Sequence, residues 1–352
     1  MRLIPGVARR ALRRVVRRWA AGRERLAVVE FPRWSAALDD ALAALPPLPN
    51  CPHAVYRALA EPRRQVARVT YLVSERDAPV AVVVLRAAGS TWEPVTTWLT
   101  PGRPFPQAGS DVLRVLHALP VPMTLGWWRC ADEPPRSRRV APGAPEPTYG
   151  LRCDGDVEGV WRTTGLLPNI RNARRRCENL RVVVDGEGDA EWTIRNWGSV
   201  WQVSAERLDD FLLVAASLRE ASRYHSLVVY DGERRVGGLT QIDDGGELVG
   251  QAMCRDRAYD KYSLGTFMFD RHVAWAVERR FSGVDFGGSL PYKERWAPVS
   301  GRKYVVRVVP LEHLVGRVLR EPWRLLRRAP DGGAQRDAPP PVAGPAGDAR
   351  ET

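Results

Sequence analysis

The chain has 352 residues, more than one hydrophobic core usually holds, and 44% of them are hydrophobic. We therefore expect two domains and exclude a disordered protein. The five cysteines are scattered and odd in number, which argues against a disulfide framework and against a zinc site and is typical of a protein from a reducing cytosol. The five histidines are isolated and include no His-x-x-x-His pair, so the sequence predicts no metal.

The net charge of +12 is concentrated in the terminal segments. Residues 1–25 contribute +8, residues 302–328 contribute +6 and residues 329–352 contribute −2, which leaves residues 26–301 neutral. A neutral body without a helix-turn-helix pattern offers no basic footprint for DNA. The charge distribution therefore argues against a DNA-binding protein.

The first predicted element is an amphipathic helix within residues 1–25, where apolar residues recur at three- and four-residue spacing and arginines fall opposite. Because arginines interrupt the apolar stripe at every turn, the pattern fits neither a secretory signal nor a membrane span. Two interpretations stay open: a helix on the anionic inner face of a membrane, or a helix packed on its own domain. Residues 311–328 repeat the pattern, and the Pro/Gly/Ala-rich residues 329–352 are predicted to be a disordered tail.

Two runs of β-branched residues form the next predicted unit. "RVTYLVS" (68–74) and "PVAVVVLR" (79–86) flank "ERDA" and predict a hairpin. The Pro-rich stretch 132–150 is expected to carry no helix and no inner strand, which places the domain connection near it. The sequence thus predicts one domain over 26–150 and a second over 151–310.

A cluster of arginines lies near the start of the second domain. "NIRNARRRCENL" (169–180) predicts a helix that brings Arg171, Arg174 and Arg175 close together. These guanidinium groups either hold a phosphate or form a solvated helix face. A helix capped by Ser204 and a three-strand meander are predicted next. The meander strands are 226–230, 236–242 and 247–254.

The turn after the meander, residues 261–266, is predicted to begin a helix that runs from about Leu264 to Phe281. The short apolar run "GVDFG" (283–287) follows as a buried strand. In such a strand–helix–strand unit the strands should be parallel. Free N–H groups at the helix start suit a phosphate or pyrophosphate, and the alternative is a capped helix start without a ligand.

The stretch "VDFGGSLPYKERWAP" (284–298) contains one of only three lysines, Lys293, just after that strand. The glycine pair at the strand end, Gly287 and Gly288, indicates a tight turn or a close approach of another group.

Together, the meander, the helix start, the parallel strand and the "YK..W" residues resemble the Gcn5-related N-acetyltransferase (GNAT) fold. More narrowly, they resemble the double-GNAT group of FemAB-type transferases and CelD/BcsL-like acetyltransferases. The resemblance is carried by "NIRNARRRCENL", "YDKYSLGTFMFDRHVAWAVERR" and "GVDFGGSLPYKERWAP", and it is clear over about 160–310 and faint over 50–150. It implies an α+β protein with two tandem GNAT-like domains, whose mixed central sheets are flanked by helices.

The resemblance also implies a donor site. The donor would be acyl-CoA, with acetyl-CoA as the expected form, and its pyrophosphate would lie over the 261–266 turn. The implied donor-binding residues are Lys261, Ser263, Leu264, Gly265 and Thr266. The turn departs from the acyl-CoA loop of ordinary GNATs because it has a single glycine, and Fem-type relatives use aminoacyl-tRNA instead of coenzyme A.

Acyl transfer to an amine needs a polarised carbonyl and a proton acceptor. By the resemblance, Lys293 would offset charge on the carbonyl, Asp285 would act as base and Tyr292 would return a proton to the leaving group. The structural alternatives are a surface ion pair, a turn-capping carboxylate and a packed aromatic, respectively. Gly287 and Gly288 would let the acceptor approach the strand end. The arginines expected to bind the acceptor are Arg171, Arg174 and Arg175.

Three functions are therefore expected candidates. The first is an N-acyltransferase that uses acyl-CoA to modify an amine of a cell-envelope or polysaccharide precursor, working in the cytoplasm at the inner face of the membrane. The second is a Fem-like aminoacyl-tRNA-dependent transferase acting on a peptidoglycan precursor, in which tRNA is a partner. The third is a non-catalytic, membrane-associated binding module. The acceptor would be a small molecule or a lipid-linked sugar or peptide.

Overall fold

The computed structural model describes residues 26–48, 50–61, 67–96, 104–109, 111–129, 139–287 and 291–310. The predicted basic helices at 1–25 and 311–328 and the tail at 329–352 lie outside these residues. None of the helices in the described ranges is long and apolar enough to cross a membrane.

The described residues contain thirteen strands. They are β1 (Leu26–Phe31), β2 (Arg68–Glu75), β3 (Ala78–Ala88), β4 (Thr91–Pro94), β5 (Met123–Arg129), β6 (Val140–Pro142), β7 (Glu146–Arg152), β8 (Arg181–Val184), β9 (Tyr224–Asp231), β10 (Arg234–Asp243), β11 (Glu247–Arg255), β12 (Gly283–Asp285) and β13 (Val299–Val308). Twelve strands of the described residues form one continuous path of paired strands, and the thirteenth, β6, pairs with β13 beside this path.

Helices accompany these strands in both halves of the described chain. The α-helices are α1 (Ala36–Ala43), α2 (His53–Ala60), α3 (Val112–Ala118), α4 (Val157–Thr163), α5 (Leu167–Arg176), α6 (Asp189–Val200), α7 (Ala205–Glu220) and α8 (Leu264–Glu278). Two short 3₁₀ helices, Arg257–Tyr262 and Pro291–Arg295, precede α8 and β13.

The predicted α+β class is confirmed, and so are its main local units. β2 and β3 form the expected antiparallel hairpin. β9, β10 and β11 form the expected meander, and β12 pairs with β11 in parallel after α8. The helix after Ser204 begins as predicted, because the Ser204 side chain accepts a hydrogen bond from the backbone N–H of Arg207.

The two halves of the described chain repeat one arrangement of elements. In the first half, β2, β3 and β4 are antiparallel, α3 follows, and β5 then pairs with β4 in parallel at Met123 and Trp92. In the second half, β9, β10 and β11 are antiparallel, α8 follows, and β12 is parallel to β11. This repetition confirms the expected tandem architecture with mixed sheets.

The two halves also exchange strands. β7, which follows the first half, pairs antiparallel with β12, while β13, which follows the second half, pairs antiparallel with β5. β7 and β13 then pair with each other and join the two sheets. Each half therefore needs a strand from outside itself to continue its sheet.

The expectation that 132–150 holds no inner strand is wrong, because β7 lies between β12 and β13. β12 has only three residues, so its pairing to β7 is confined to Gly150–Arg152. Pro147 pairs with Arg302 of β13 and has no β12 residue opposite it. Proline has no N–H to donate, and at this position no strand on the β12 side needs one. Pro147 is thus tolerated as it would be at a sheet edge.

Helix α7 packs on the first half, although it lies in the second half of the sequence. Its buried Phe211, Val214 and Leu218 belong to the same apolar cluster as the central β3 residues Val82 and Val84. Burial of this shared apolar surface stabilises the contact between the two halves.

A buried ion-pair network lies where α7 meets the sheet of the first half. Asp210 lies 3.0 Å from the guanidinium group of Arg68 and 3.3 Å from that of Arg86. Arg68 also binds Glu206 at 3.0 Å, and Arg86 binds Glu93 at 2.7 Å. All five side chains are less than 10% exposed. Because each charge is already desolvated, loss of one partner leaves another buried charge uncompensated.

We expect Asp210→Ala to lower the free energy of unfolding by about 3 to 5 kcal/mol, since two buried arginines lose their shared carboxylate. Urea titration followed by circular dichroism measures the change. Glu220→Ala is the matched control, because this carboxylate is exposed on the same helix, and it should change stability by less than about 1 kcal/mol. Equal losses for the two variants would contradict a stabilising role for the network.

Candidate functional site

The turn before α8 has the geometry of an open helix start. Ser263 precedes the helix with a left-handed φ of 62°, and its side chain caps no N–H group. Leu264 is fully buried, whereas Gly265 and Thr266 are half-buried. A Cβ on Gly265 would find its nearest neighbours, in Met253 and Arg255, at 3.7 to 3.9 Å. A side chain at this position would thus make only ordinary contacts, and no side chain caps the first N–H groups of the helix, which an anion could therefore bind.

Charged side chains surround this turn. Lys261 is exposed, and its ammonium group lies 4.9 Å from the centre of the Tyr262 ring. Arg176 donates a hydrogen bond to the Lys261 carbonyl at 3.0 Å. Arg255 binds Asp260 at 2.6 Å and has its side chain next to Gly265. The turn thus has several cationic neighbours. The sequence predicted Lys261 at this site but not Arg255.

Strands β11 and β12 part below the helix start. Their parallel pairing covers Glu247–Val249 and Gly283–Asp285 and ends there. β11 continues to Arg255, whereas β12 ends at Asp285 and the chain turns at Gly287. β11 is therefore unpaired with β12 from Gly250 onward, and this unpaired stretch, which ends beside Gly265 at the start of α8, is called the groove below.

The turn after β12 is held by backbone contacts. Gly287 has a left-handed φ of 65°, and a Cβ there would lie 2.4 Å from the carbonyl oxygen of Gly250. Its N–H donates to Asp285 Oδ1 at 2.7 Å. Asp285, 5% exposed, therefore orders the turn, which is the alternative interpretation that the sequence allowed.

Lys293 is only 6% exposed and reaches back to the same turn. Its Nζ donates to the carbonyls of Phe286 at 2.6 Å and Gly287 at 2.9 Å. Burial lowers the pKa of Lys293 from its ordinary 10.5 to about 8, and the charge of Lys303 lowers it further while Asp285 opposes the shift. Its surface ion-pair alternative is wrong, because the ammonium group lies inside the protein on two backbone carbonyls.

The predicted arginine cluster is largely paired with carboxylates. Arg171 binds Glu158 at 2.7 Å on the surface, and Arg175 is exposed. Arg174 binds Asp270 of α8 through two hydrogen bonds of 2.9 and 2.7 Å. Asp270 is fully buried, so Arg174 anchors α5 on α8.

Of the other predicted site residues, Tyr292 lies in the 3₁₀ helix Pro291–Arg295, and Gly288 lies outside the described residues. Their roles stay predictions. Across the described ranges no group of three His, Cys, Asp or Glu side chains is placed to hold a metal ion.

The structure adds two buried polar residues that the sequence did not single out. Gln241 of β10 and His272 of α8 are both fully buried. A lone histidine in an apolar helix and a glutamine in a strand carry no local signal of a site, so only the packing identifies them.

Comparison with known families gives residues 167–294 a match to the family model described as an acetyltransferase (GNAT) domain. The chain contains a GNAT domain. The match runs from α5 to the turn at Lys293. It therefore includes the start of α8, the groove, and the glycine pair Gly287 and Gly288. No protein with a curated description matches the sequence.

Solved structures resemble the chain at low identity. L-PGS from Bacillus licheniformis is 10% identical with a TM-score of 0.49, over 85% of this chain and 99% of that one. FemX is 11% identical with a TM-score of 0.43, over 83% and 99%. A tandem GNAT protein from the clavulanic acid biosynthesis pathway is 10% identical with a TM-score of 0.43, over 81% and 98%. Likeness at this level does not fix a shared activity.

We expect Gly287→Ala to destabilise the GNAT domain by about 2 to 4 kcal/mol, because the new Cβ adds a clash with the Gly250 carbonyl to the cost of a left-handed φ. Gly232→Ala is the matched control, since Gly232 has a φ of 57° and open space around its Cβ, and it should cost only about 1 kcal/mol. Urea unfolding measures both. Equal costs would show that the close approach to Gly250 is not a constraint.

We also expect the stability difference between the wild type and Lys293→Met to depend on pH. Because burial lowers the pKa of Lys293 to about 8, the unfolded chain binds more protons between that pH and the ordinary 10.5. Below pH 8 the buried ammonium group lowers the free energy of unfolding by its full amount. As the pH rises from 8 to 10.5 this destabilisation disappears, so the free energy of unfolding rises by about 3 kcal/mol. Urea titrations of both proteins from pH 7 to 10.5 test this, and parallel profiles would contradict it.

Proposed function

We propose that the protein is an N-acyltransferase that moves an acyl group from acyl-CoA to an amine of a cell-envelope or polysaccharide precursor. The observation that carries the proposal is the parting of β11 and β12 directly below the open start of α8. This arrangement would join a site for a diphosphate to a groove for an extended chain, and the Lys293 ammonium group lies behind the turn at the far end of that groove. The GNAT match over the same residues supports it.

The helix start fits the diphosphate of coenzyme A. Gly265 leaves space where a side chain would otherwise stand, and the positive end of the helix dipole favours an anion there. Lys261, Ser263, Leu264 and Thr266 would complete this site. When bound, acyl-CoA would supply an activated carbonyl group.

Lys293 would supply positive charge at the end of the groove. Its ammonium group lies behind the Phe286 and Gly287 carbonyls and would offset negative charge that develops on the acyl carbonyl. Asp285 would position this turn through the Gly287 N–H. Tyr292 remains proposed as the proton donor to the leaving group. The residues that remain proposed for acceptor binding are Arg171, Arg174, Arg175, Gly287 and Gly288.

The acceptor class and the location are likewise proposals. A small-molecule or lipid-linked sugar or peptide amine would approach the turn after β12. Contact with the inner face of the membrane would depend on residues 1–25 and 311–328, and their arginines support it through attraction to anionic lipids.

We expect coenzyme A to bind the wild type and Gly265→Glu to weaken that binding at least about 10-fold, or about 1.4 kcal/mol. A Cβ on residue 265 would meet Met253 and Arg255 only at ordinary contact distances of 3.7 to 3.9 Å, and a carboxylate at a helix start does not destabilise the helix. Gly265→Gln is the matched control of equal size without charge and should weaken binding less. Isothermal titration calorimetry gives the dissociation constants, and thermal unfolding checks the fold.

The outcomes separate the candidate functions. If no coenzyme A compound binds the wild type, the acyl-CoA proposal fails. If transferase activity is lost on adding ribonuclease, the donor is an aminoacyl-tRNA. If the Glu and Gln variants bind coenzyme A equally, the diphosphate does not lie at this turn.

A further inference from the structure

Two buried polar side chains in the GNAT domain have no hydrogen-bond partner among the described residues. They are Gln241, with both amide atoms unpaired, and His272, with both ring nitrogens unpaired. Both are 0% exposed. More than nine in ten buried polar groups in folded proteins are paired, and an unpaired one is costly. Gln241 and His272 differ from the domain's other buried residues with an unpaired atom in that every polar atom of a two-atom side chain lacks a partner, which makes them candidates for pairing with a ligand.

Strand pairing places Gln241 in a row that crosses the sheet. Gln241 lies opposite His225 of β9 on one side and opposite Gly250 of β11 on the other. Directly opposed residues share a face of the sheet. The His225 ring lies 4.6 Å from Trp275 of α8, so this is the face that α8 covers.

His272 lies above the other end of the same row. It precedes Trp275 by three residues, about one helical turn, and both side chains are buried. Its ring lies 6.0 Å from Phe286, which follows β12. Helix α8 thus contacts the row at both ends, through Trp275 at His225 and through His272 at Phe286. Gln241 and Gly250 lie between these two contacts.

Gln241 and Gly250 form the bottom of the groove. Gly250 is the first residue of β11 beyond the pairing with β12, and it presents no side chain to α8. A Cβ there would find its nearest neighbours, in Asp285 and Phe286, at 3.4 to 3.5 Å, an ordinary contact distance. The absence of a side chain is thus not forced by a clash, and the strand pairing places Gly250 directly opposite the unpaired Gln241.

The hydrogen-bonding character of the pair is defined. Burial and the charge of Lys293 lower the pKa of His272 to about 3, so the imidazole is neutral and has one donor and one acceptor nitrogen. The Gln241 amide adds a donor and an acceptor. A matching ligand group must itself donate and accept, as an amide or a hydroxyl group does and an alkyl group does not.

We infer that Gln241 and His272 bind, through hydrogen bonds, the part of the acyl donor that lies at the bottom of the groove, and that this part carries an amide or hydroxyl group. The inference rests on the proposed function. Two sources share this chemistry: the amide-containing arm of coenzyme A, and a polar acyl group attached to it.

The test uses the full chain with Gln241→Leu and His272→Leu, and calorimetry with coenzyme A, acetyl-CoA and hydroxyacetyl-CoA. Because each variant removes unpaired polar atoms, its free energy of unfolding should be unchanged or higher than that of the wild type. Ser226→Ala is the matched control: the Ser226 hydroxyl is also buried and unpaired, but the alternation along β9 places it on the opposite face from His225. It should leave all three affinities unchanged.

We expect each Leu variant to weaken donor binding at least about 10-fold, or about 1.4 kcal/mol. An equal loss for all three ligands assigns the arm of coenzyme A, and a loss confined to hydroxyacetyl-CoA assigns a polar acyl group. Wild-type affinities in both Leu variants would overturn the inference and leave the proposed function intact, as would a loss of stability without a loss of affinity. Failure of the wild type to bind any of the three overturns both.

Discussion

The close approach of two glycines determines the geometry of the candidate site. The carbonyl of Gly250 occupies the place where any side chain on Gly287 would begin. This contact makes the chain turn sharply after a strand of only three residues, and the turn directs the Phe286 and Gly287 carbonyls toward Lys293. Asp285 caps this turn through the Gly287 N–H, and Lys293 is buried behind it. The backbone therefore forms much of the site. The side chains of Asp285 and Lys293 stabilise a turn that only glycine can adopt at position 287.

Much of the second half could be predicted from its sequence. Strand alternation and the glycine-rich turns defined β9 to β11, and helical spacing defined α8. The glycine pair indicated a tight turn, and Gly287 has the left-handed φ that explains its identity. The direction of Lys293 could not be predicted, because the carbonyls it binds become available only when the turn is formed. Gln241 and His272 were missed for a related reason: their significance lies in what they lack, and a sequence pattern cannot show an unpaired atom.

Other features were not predicted because they depend on pairing over long sequence distances. The arginines of α5 were expected to bind the acceptor, and the sequence did not reveal that Arg174 binds Asp270, which is 96 residues away. The Pro-rich stretch looked unable to enter a sheet, yet β7 does so because β12 covers only part of it. In the first half, short strands such as β4 and β5 have weak local signals and depend on β13 and β3 for their pairing.

The exchange of β7 and β13 bears on how the chain acquires its structure during synthesis. The first half cannot gain its β13 neighbour until residues 299–308 have left the ribosome, so that edge of β5 stays uncovered long after the first half itself has been made. Until then β5 presents exposed backbone N–H and C=O groups, which readily pair with other chains. Contacts so distant in sequence also slow folding. An organism that makes this protein thus has reason to protect the nascent chain, and neither half is a natural unit for separate expression.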